Sequence, residues 1–131
     1  MHKSFSVRTT KRSEFVEITR QVQIAVDDLG VKDGTVTVFV PHTTAGVTIN
    51  EHADPDVVRD MIYYLDKTVP WDDPAYRHGE GNTAAHIKAS FMGPSQRIPV
   101  EGGRLKLGTW QGIFFCEFDG PRERSVWVSE G

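Results

Sequence analysis

The chain has almost no cysteine and no long apolar segment. Among 131 residues only Cys116 is a cysteine, so no internal disulfide can form, and we expect a reducing compartment. Cys116 lies in an apolar run, which favours a buried inert thiol over a nucleophile. The N-terminus from Met1 to Phe5 lacks the apolar region of a signal peptide, and no run approaches membrane-spanning length. We therefore expect a cytoplasmic protein that has no membrane partner.

An excess of one charge sign is also missing. The 15 basic and 18 acidic residues give a formal net charge of −3, spread without a basic stripe or an acidic tail. This argues against nucleic acid as the main partner. A chain of 131 residues can bury a core without disulfides, so we expect one domain over residues 1–131.

Strand patterns occupy both ends of the chain, and helix patterns occupy its middle. Residues 36–40 are nearly all β-branched or aromatic and predict a buried strand. Other strands are predicted at 5–9, 14–18, 96–100, 105–107, 113–118 and 125–128. This order predicts the α+β class, with a largely antiparallel sheet covered on one side by about three helices.

The helices have recognisable boundaries. The first is expected to begin with Thr19 as its cap and to stop at Gly30. The second is expected to have Asp54 as N-cap and to end by Pro70, and the third to begin near Asn82.

Polar groups concentrate at the start of the third predicted helix. On a helix that begins near Asn82, the side chains of Asn82, His86 and Ser90 share one face, and His78 lies on the loop that precedes it. A surface loop with an N-cap asparagine and two solvated histidines is the alternative interpretation.

A third histidine follows the buried strand at 36–40. Strand ends often carry chemistry, so His42, His78 and His86 are predicted to form a three-nitrogen set that holds a divalent metal, with zinc the best match. No HExxH or CxxC spacing accompanies them. His42 as a hydrogen-bonded core histidine is therefore an open alternative.

Several segments taken together resemble the YjbQ family, whose members are labelled secondary thiamine-phosphate synthases. The matching segments are HTTAGVTINE at 42–51, ADPDV at 53–57, HGEGN at 78–82, HIKAS at 86–90, LGTWQGI at 107–113 and EFDGP at 117–121. The resemblance covers nearly the whole chain in the same order. It implies a compact α+β domain in a homotrimer whose sites lie near subunit boundaries. It also implies transferase activity that forms thiamine phosphate at a low level, or action on another small phosphorylated molecule.

Site roles can be assigned on this basis. Glu51 or Glu80 is predicted as general base, or as a group that orients an imidazole. Glycines and free amides near the helix start favour an anion cradle, and Trp110 or Trp71 could stack on a heteroaromatic ring. The predicted substrate-binding residues are Thr43, Thr44, Asn50, Gly79, Gly81, Asn82, Ser90 and Trp110.

Three functions are compatible with these residues. The first is an enzyme acting on a phosphorylated heterocyclic metabolite through the three histidines. The second is a metal-dependent hydrolase using the same histidines, with water as the attacking group. The third is a binding protein that holds a phosphorylated metabolite without turnover.

Overall fold

Eight strands and three helices make up the computed structural model, which describes residues 1–131. The α+β class expected from the sequence is confirmed. The strands are β1 (His2–Arg8), β2 (Glu14–Glu17), β3 (Gly34–Phe39), β4 (Ala45–Glu51), β5 (Ser95–Glu101), β6 (Arg104–Leu105), β7 (Gln111–Glu117) and β8 (Glu123–Glu130). The helices are α1 (Thr19–Leu29), α2 (Pro55–Thr68) and α3 (Thr83–Met92).

The strands form two antiparallel sheets rather than one. The larger sheet has the order β1-β8-β3-β5-β6, and the smaller has the order β2-β7-β4. Strand β7 explains the division, because its apolar side chains alternate between two cores. Ile113 and Phe115 belong to the larger core, whereas Phe114 and Cys116 belong to the smaller one. A sheet that is apolar on both faces must be covered on both faces.

The sequence predicted that the helices cover one side of the sheet. In the structure they lie on two sides. Helix α1 contributes Val22 and Val26 to the larger core between the two sheets. Helix α2 contributes Leu65, and α3 contributes Ala85 and Ala89, to the smaller core on the opposite face of the small sheet. The smaller core also encloses Cys116, where burial raises the pKa of the thiol far above its ordinary range.

The helix boundaries predicted at Gly30, Asp54, Pro70 and Asn82 are confirmed. Gly30 ends α1 in the left-handed conformation with a φ of 72°, and its amide donates to carbonyls of the last turn. The carboxylate of Asp54 accepts a hydrogen bond from the amide of Asp56, and Pro55 is the first residue of α2.

The predicted cap of α1 is wrong. Ile18 holds the N-cap position, and the hydroxyl of Thr19 makes no cap. That hydroxyl accepts a hydrogen bond from the amide of Ile113 at 2.9 Å and donates to Glu17 at 2.8 Å. Thr19 therefore ties the helix start to the small sheet, a contact between residues too distant in sequence for a local pattern to predict.

Helix α3 lies close to β4 at a glycine in the strand. A Cβ atom on Gly46 would lie 2.7 Å from the carbonyl oxygen of Gly93 and 3.0 Å from the Cβ of Met92. The absence of a side chain thus permits the close approach of the two elements. None of the helices combines the length and the apolarity that a membrane crossing requires.

Candidate functional site

Three connecting segments surround a polar cleft of about 430 Å³. The first joins β3 to β4, the second leads into α3, and the third joins β7 to β8. Apart from Pro41, every residue that lines the cleft is polar or charged. We call it the histidine cleft, and it is lined by Pro41, His42, Thr43, Thr44, His78, Glu80, Asn82, His86, Asp119, Arg122 and Arg124. A larger cleft beside α1 contains none of the predicted site residues.

The three predicted histidines line this one cleft. The rings of His78 and His86 meet edge to face, with 5.4 Å between their centroids. The Nε2 atom of His42 accepts a hydrogen bond from the amide of Ser125 at 3.0 Å. A backbone N–H can only donate, so Nε2 carries the lone pair, and the neutral ring carries its proton on Nδ1. His42 therefore retains one N–H donor.

The histidines as placed do not fit a three-nitrogen zinc set. No three side chains among His, Cys, Asp and Glu are arranged to hold one metal ion. In His42 the lone pair of Nε2 is engaged by Ser125 and Nδ1 bears the proton, so the neutral ring has no free lone pair for a metal. His78 and His86 remain as a two-nitrogen pair, so zinc stays a prediction.

A buried ion pair lies beside the cleft. The guanidinium of Arg124 donates to both carboxylate oxygens of Glu117, at 2.9 and 2.5 Å, and to the hydroxyl of Thr44 at 2.9 Å. The Arg124 and Glu117 side chains are 3% and 0% exposed. A hydroxyl donor from Thr9 and an amide donor from Asp119 complete the coordination of the carboxylate. Bidentate pairing fixes the orientation of the guanidinium as well as its charge.

The pKa values of two groups here are lowered. Burial alone would raise the pKa of Glu117, but hydrogen bonds from Arg124, the Asp119 amide and Thr9 outweigh it and hold the pKa below its ordinary value. Burial lowers the pKa of His42, and the nearby positive charge of Arg124 lowers it further. His42 is therefore neutral at pH 7.

A second network organises the mouth of the cleft. One carboxylate oxygen of Asp119 accepts from the guanidinium of Arg122 at 3.1 Å and from the amide nitrogen of Asn82 at 2.9 Å. Arg122 also donates through Nε to the backbone carbonyl of Asp119. The Arg122 side chain is about half exposed, so it retains donors that can face a ligand.

Sequence reasoning missed these charged residues as site components. Glu117 stood in a matched motif without a role, and Arg122 and Arg124 were given no role. A carboxylate within an apolar strand needs a buried partner, and this pattern predicts a buried donor or cation near Glu117. Glu117 and Arg124 occupy strands of different sheets, so the identity of the partner was not available from local pattern.

Other predicted residues lie in or beside the cleft. Thr43, Thr44, Glu80 and Asn82 line it, whereas Ser90 lines an adjoining depression together with His42 and His86. The carboxylate of Glu80 is 3.9 Å from Nε2 of His78, which is too long for a hydrogen bond. Gly79 and Gly81 flank Glu80, and Gly81 completes a turn with a φ of 73°.

Asn50, Glu51 and Trp110 lie away from the cleft. Strand β4 begins beside the cleft at Ala45 and runs for six further residues to Glu51, a span of roughly 20 Å in extended backbone. Glu51 pairs there with Gln111. The Trp110 side chain is exposed at the same end, where its carbonyl accepts from the amide of His52. The predicted general base Glu51 therefore does not reach the histidine cleft of its own chain.

Several known proteins are similar to this chain over nearly its whole length. The family model described as UPF0047 protein YjbQ-like matches residues 3–130. The UPF0047 protein YugU of Bacillus subtilis is 53% identical over 128 residues, which cover 98% of this chain and 97% of the relative. The UPF0047 protein MJ1081 of Methanocaldococcus jannaschii is 50% identical over 126 residues, which cover 95% and 89%.

Solved structures confirm the fold. An uncharacterized conserved protein of the YjbQ/UPF0047 family from Clostridium acetobutylicum is 56% identical and superposes with a TM-score of 0.95 over 98% of this chain and 99% of its own. The conserved hypothetical protein TT1486 of Thermus thermophilus is 43% identical, with a TM-score of 0.91 over 98% and 99%.

Proposed function

This chain belongs to the UPF0047 family of YjbQ-like proteins, and from its histidine cleft we propose an enzyme that acts on a small phosphorylated metabolite. The observation that carries this proposal is the gathering of two arginines, three imidazoles and a helix start around one polar cleft. Transfer to a phosphorylated heterocycle, of the kind that forms thiamine phosphate, is the first reaction to test. A cytoplasmic location accords with the single buried cysteine.

Hydrogen-bond donors, rather than net charge, suit the cleft to phosphate. Arg124 is neutralised by Glu117 and Arg122 by Asp119, so the two guanidinium groups add little net charge. Arg122 and the Nδ1–H of His42 still supply donors, and the N-terminus of α3 adds the positive end of a helix. Donors of this kind recognise phosphate oxygens through the direction of the hydrogen bonds as well as through charge.

The imidazoles of His78 and His86 are the proposed proton-transfer groups. Imidazole is the side chain that enzymes use most often for this purpose, and both rings line the cleft. In a transfer reaction one ring would protonate the departing phosphate or diphosphate oxygen. Glu51, at the far end of β4, has no such role within the same chain.

Phosphate binding tests the proposal directly. Calorimetric titration with inorganic phosphate is expected to show binding that weakens roughly tenfold in Arg122→Gln, because a charge-assisted hydrogen bond is lost. Arg8→Gln is the matched control, since Arg8 also pairs with a carboxylate on the surface but lies in β1. Equal affinity in the wild type and in Arg122→Gln and His86→Gln would contradict the proposal.

Turnover separates an enzyme from a binding protein. Wild-type protein is to be assayed with a pyrimidine diphosphate and a thiazole phosphate, and separately with p-nitrophenyl phosphate. The enzyme proposal expects His86→Gln to lose turnover while it retains part of its phosphate affinity. Binding without turnover in the wild type would leave the binding-protein alternative.

A metal-dependent hydrolase is the second candidate, because the imidazoles of His78 and His86 lie close together in the cleft, with 5.4 Å between their centroids. Elemental analysis of protein purified without added metal tests the prediction of zinc. If the cleft binds phosphate without a metal, phosphate binding should survive treatment with EDTA. Loss of binding that added zinc restores, and that fails to return in His78→Ala, would favour the metal candidate.

We also propose a homotrimer, as the sequence resemblance implies. An exposed aromatic pair on the larger sheet supports it, because Phe39 and Trp127 stack with 5.8 Å between centroids and remain 38% and 41% exposed. Exposed aromatic groups of this kind are commonly covered by a partner subunit.

A further inference from the structure

The side-chain oxygen of Asn82 is a buried acceptor without a donor. Asn82 is 7% exposed and lines the histidine cleft, yet its Oδ1 atom has no hydrogen-bond partner. It is the one buried side-chain N or O atom in the chain with none. Resting on the function proposed above, we infer that the ligand carries a hydroxyl or amino group near its phosphate and donates from it to Asn82 Oδ1.

The orientation of this amide is fixed by its neighbour. The Nδ2 atom of Asn82 donates to Asp119 at 2.9 Å, and the same carboxylate oxygen accepts from Arg122. If the amide were reversed, its oxygen would face a carboxylate oxygen, and two acceptors would repel each other. The oxygen of Asn82 therefore points away from Asp119.

The usual partner of an N-cap asparagine is missing as well. An asparagine that precedes a helix normally accepts a hydrogen bond from an amide of the first turn, but Asn82 makes no such bond. The amide of Ala85 instead donates to the backbone carbonyl of Asn82 at 3.0 Å. Oδ1 is consequently not used to stabilise the helix.

A buried polar atom without a partner costs free energy, and nearly all such atoms in native proteins are satisfied. Asn82 lines the same cleft as Arg122 and precedes the start of α3, and both of these offer donors suited to phosphate. A phosphate monoester, whose second pKa is about 6, is mostly a dianion above pH 7, and the dianion supplies only acceptors and cannot satisfy it. A ligand with both an anionic group and a donor matches both kinds of side chain.

Two matched ligand series test the inference by calorimetric titration of the full-length protein. The first series is ethyl phosphate, 2-hydroxyethyl phosphate and 2-aminoethyl phosphate. The second is propyl phosphate and 3-hydroxypropyl phosphate. At least one donor-bearing ligand is expected to bind the wild type roughly tenfold more tightly than its plain counterpart. In Asn82→Ala this preference should fall to within about twofold.

Gln21→Ala is the control variant, because Gln21 is exposed on α1, outside the histidine cleft, and the full preference should remain. Equal binding of plain and donor-bearing phosphates to the wild type would overturn the inference while leaving the phosphate site intact. A preference that survives in Asn82→Ala would also overturn it, since the donor would then be recognised elsewhere. Failure of every phosphate to bind would overturn both the inference and the proposed function. If Asn82→Ala does not fold, the wild-type ligand comparison alone decides.

Discussion

Glu117 carries a buried charge on which the stability of the fold depends. Its carboxylate lies in an apolar strand and is held by Arg124, Thr9 and the amide of Asp119. The ion pair itself adds little stability over an apolar pair of similar size, because both charges are desolvated. Removal of one partner is different, since it leaves the other charge buried without compensation.

Glu117→Gln should therefore destabilise the protein strongly. The expected loss in the free energy of unfolding is about 3 kcal/mol or more, measured by urea denaturation at pH 7. Glu123→Gln is the control, because Glu123 pairs with Arg8 on the surface and should cost less than about 1 kcal/mol. Similar losses for the two variants would show that Arg124 finds another partner or water.

The lowered pKa values predict two separate losses of stability on acidification. For His42, whose folded pKa lies below the ordinary 6.5, the unfolded chain takes up the proton first, so stability falls as pH drops from 6.5 through the lowered value. For Glu117, stability present above the ordinary pKa of 4.5 is lost as pH falls through its lowered folded value.

Urea denaturation across this pH range, compared between wild type and His42→Asn, tests the first of these losses. The variant should lack the upper step and keep the lower one. Identical profiles in the two proteins over the upper step would assign that step to another group.

At the scale of elements, the approach of α3 to β4 determines where His86 lies. Gly46→Ala would place a methyl group against the carbonyl of Gly93 and the side chain of Met92. Overpacking of this kind typically costs about 1–3 kcal/mol, and the shift of α3 should also weaken phosphate binding.

Gly108→Ala is a suitable control, since its nearest neighbour is the flexible end of the Gln111 side chain. Both variants would be compared by thermal unfolding and phosphate titration. If Gly46→Ala is destabilised but binds phosphate with unchanged affinity, the packing of α3 against β4 does not determine the geometry of the cleft.

Local sequence predicted the elements better than their arrangement. The Asp54 cap and the Gly30 stop depend on neighbouring residues alone and were found from sequence. The division into two sheets was not found, because it depends on pairs such as His2 with Ser129 at opposite ends of the chain. The sequence predicted that the three histidines share one site. It did not predict the role of Arg124, because the carboxylate partner Glu117 lies on the other sheet.

At the scale of the whole molecule, the cleft lies where the chain passes between the two sheets. The connection from β3 to β4 leaves the larger sheet for the smaller one, and the connection from β7 to β8 returns. The two crossings are adjacent, because Ala45 pairs with Glu117. His42 on the first crossing thereby meets Ser125 beyond the second. A site at this seam is built from loops but supported by both sheets.

The proposed homotrimer gives Glu51 its one route to catalysis, because this residue lies roughly 20 Å of extended strand from its own cleft. Sedimentation at micromolar concentration is expected to give three times the chain mass. Trp127→Lys should reduce this mass, and Ile24→Lys, at an exposed apolar residue of α1, is the control. If sites are shared between subunits, each complete site needs a native His86 from one subunit and a native Glu51 from its neighbour. A refolded equal mixture of Glu51→Gln and His86→Gln should therefore recover on the order of a quarter of wild-type turnover. Full turnover in Glu51→Gln alone would remove Glu51 from the mechanism, and a monomer at every concentration would remove the shared site.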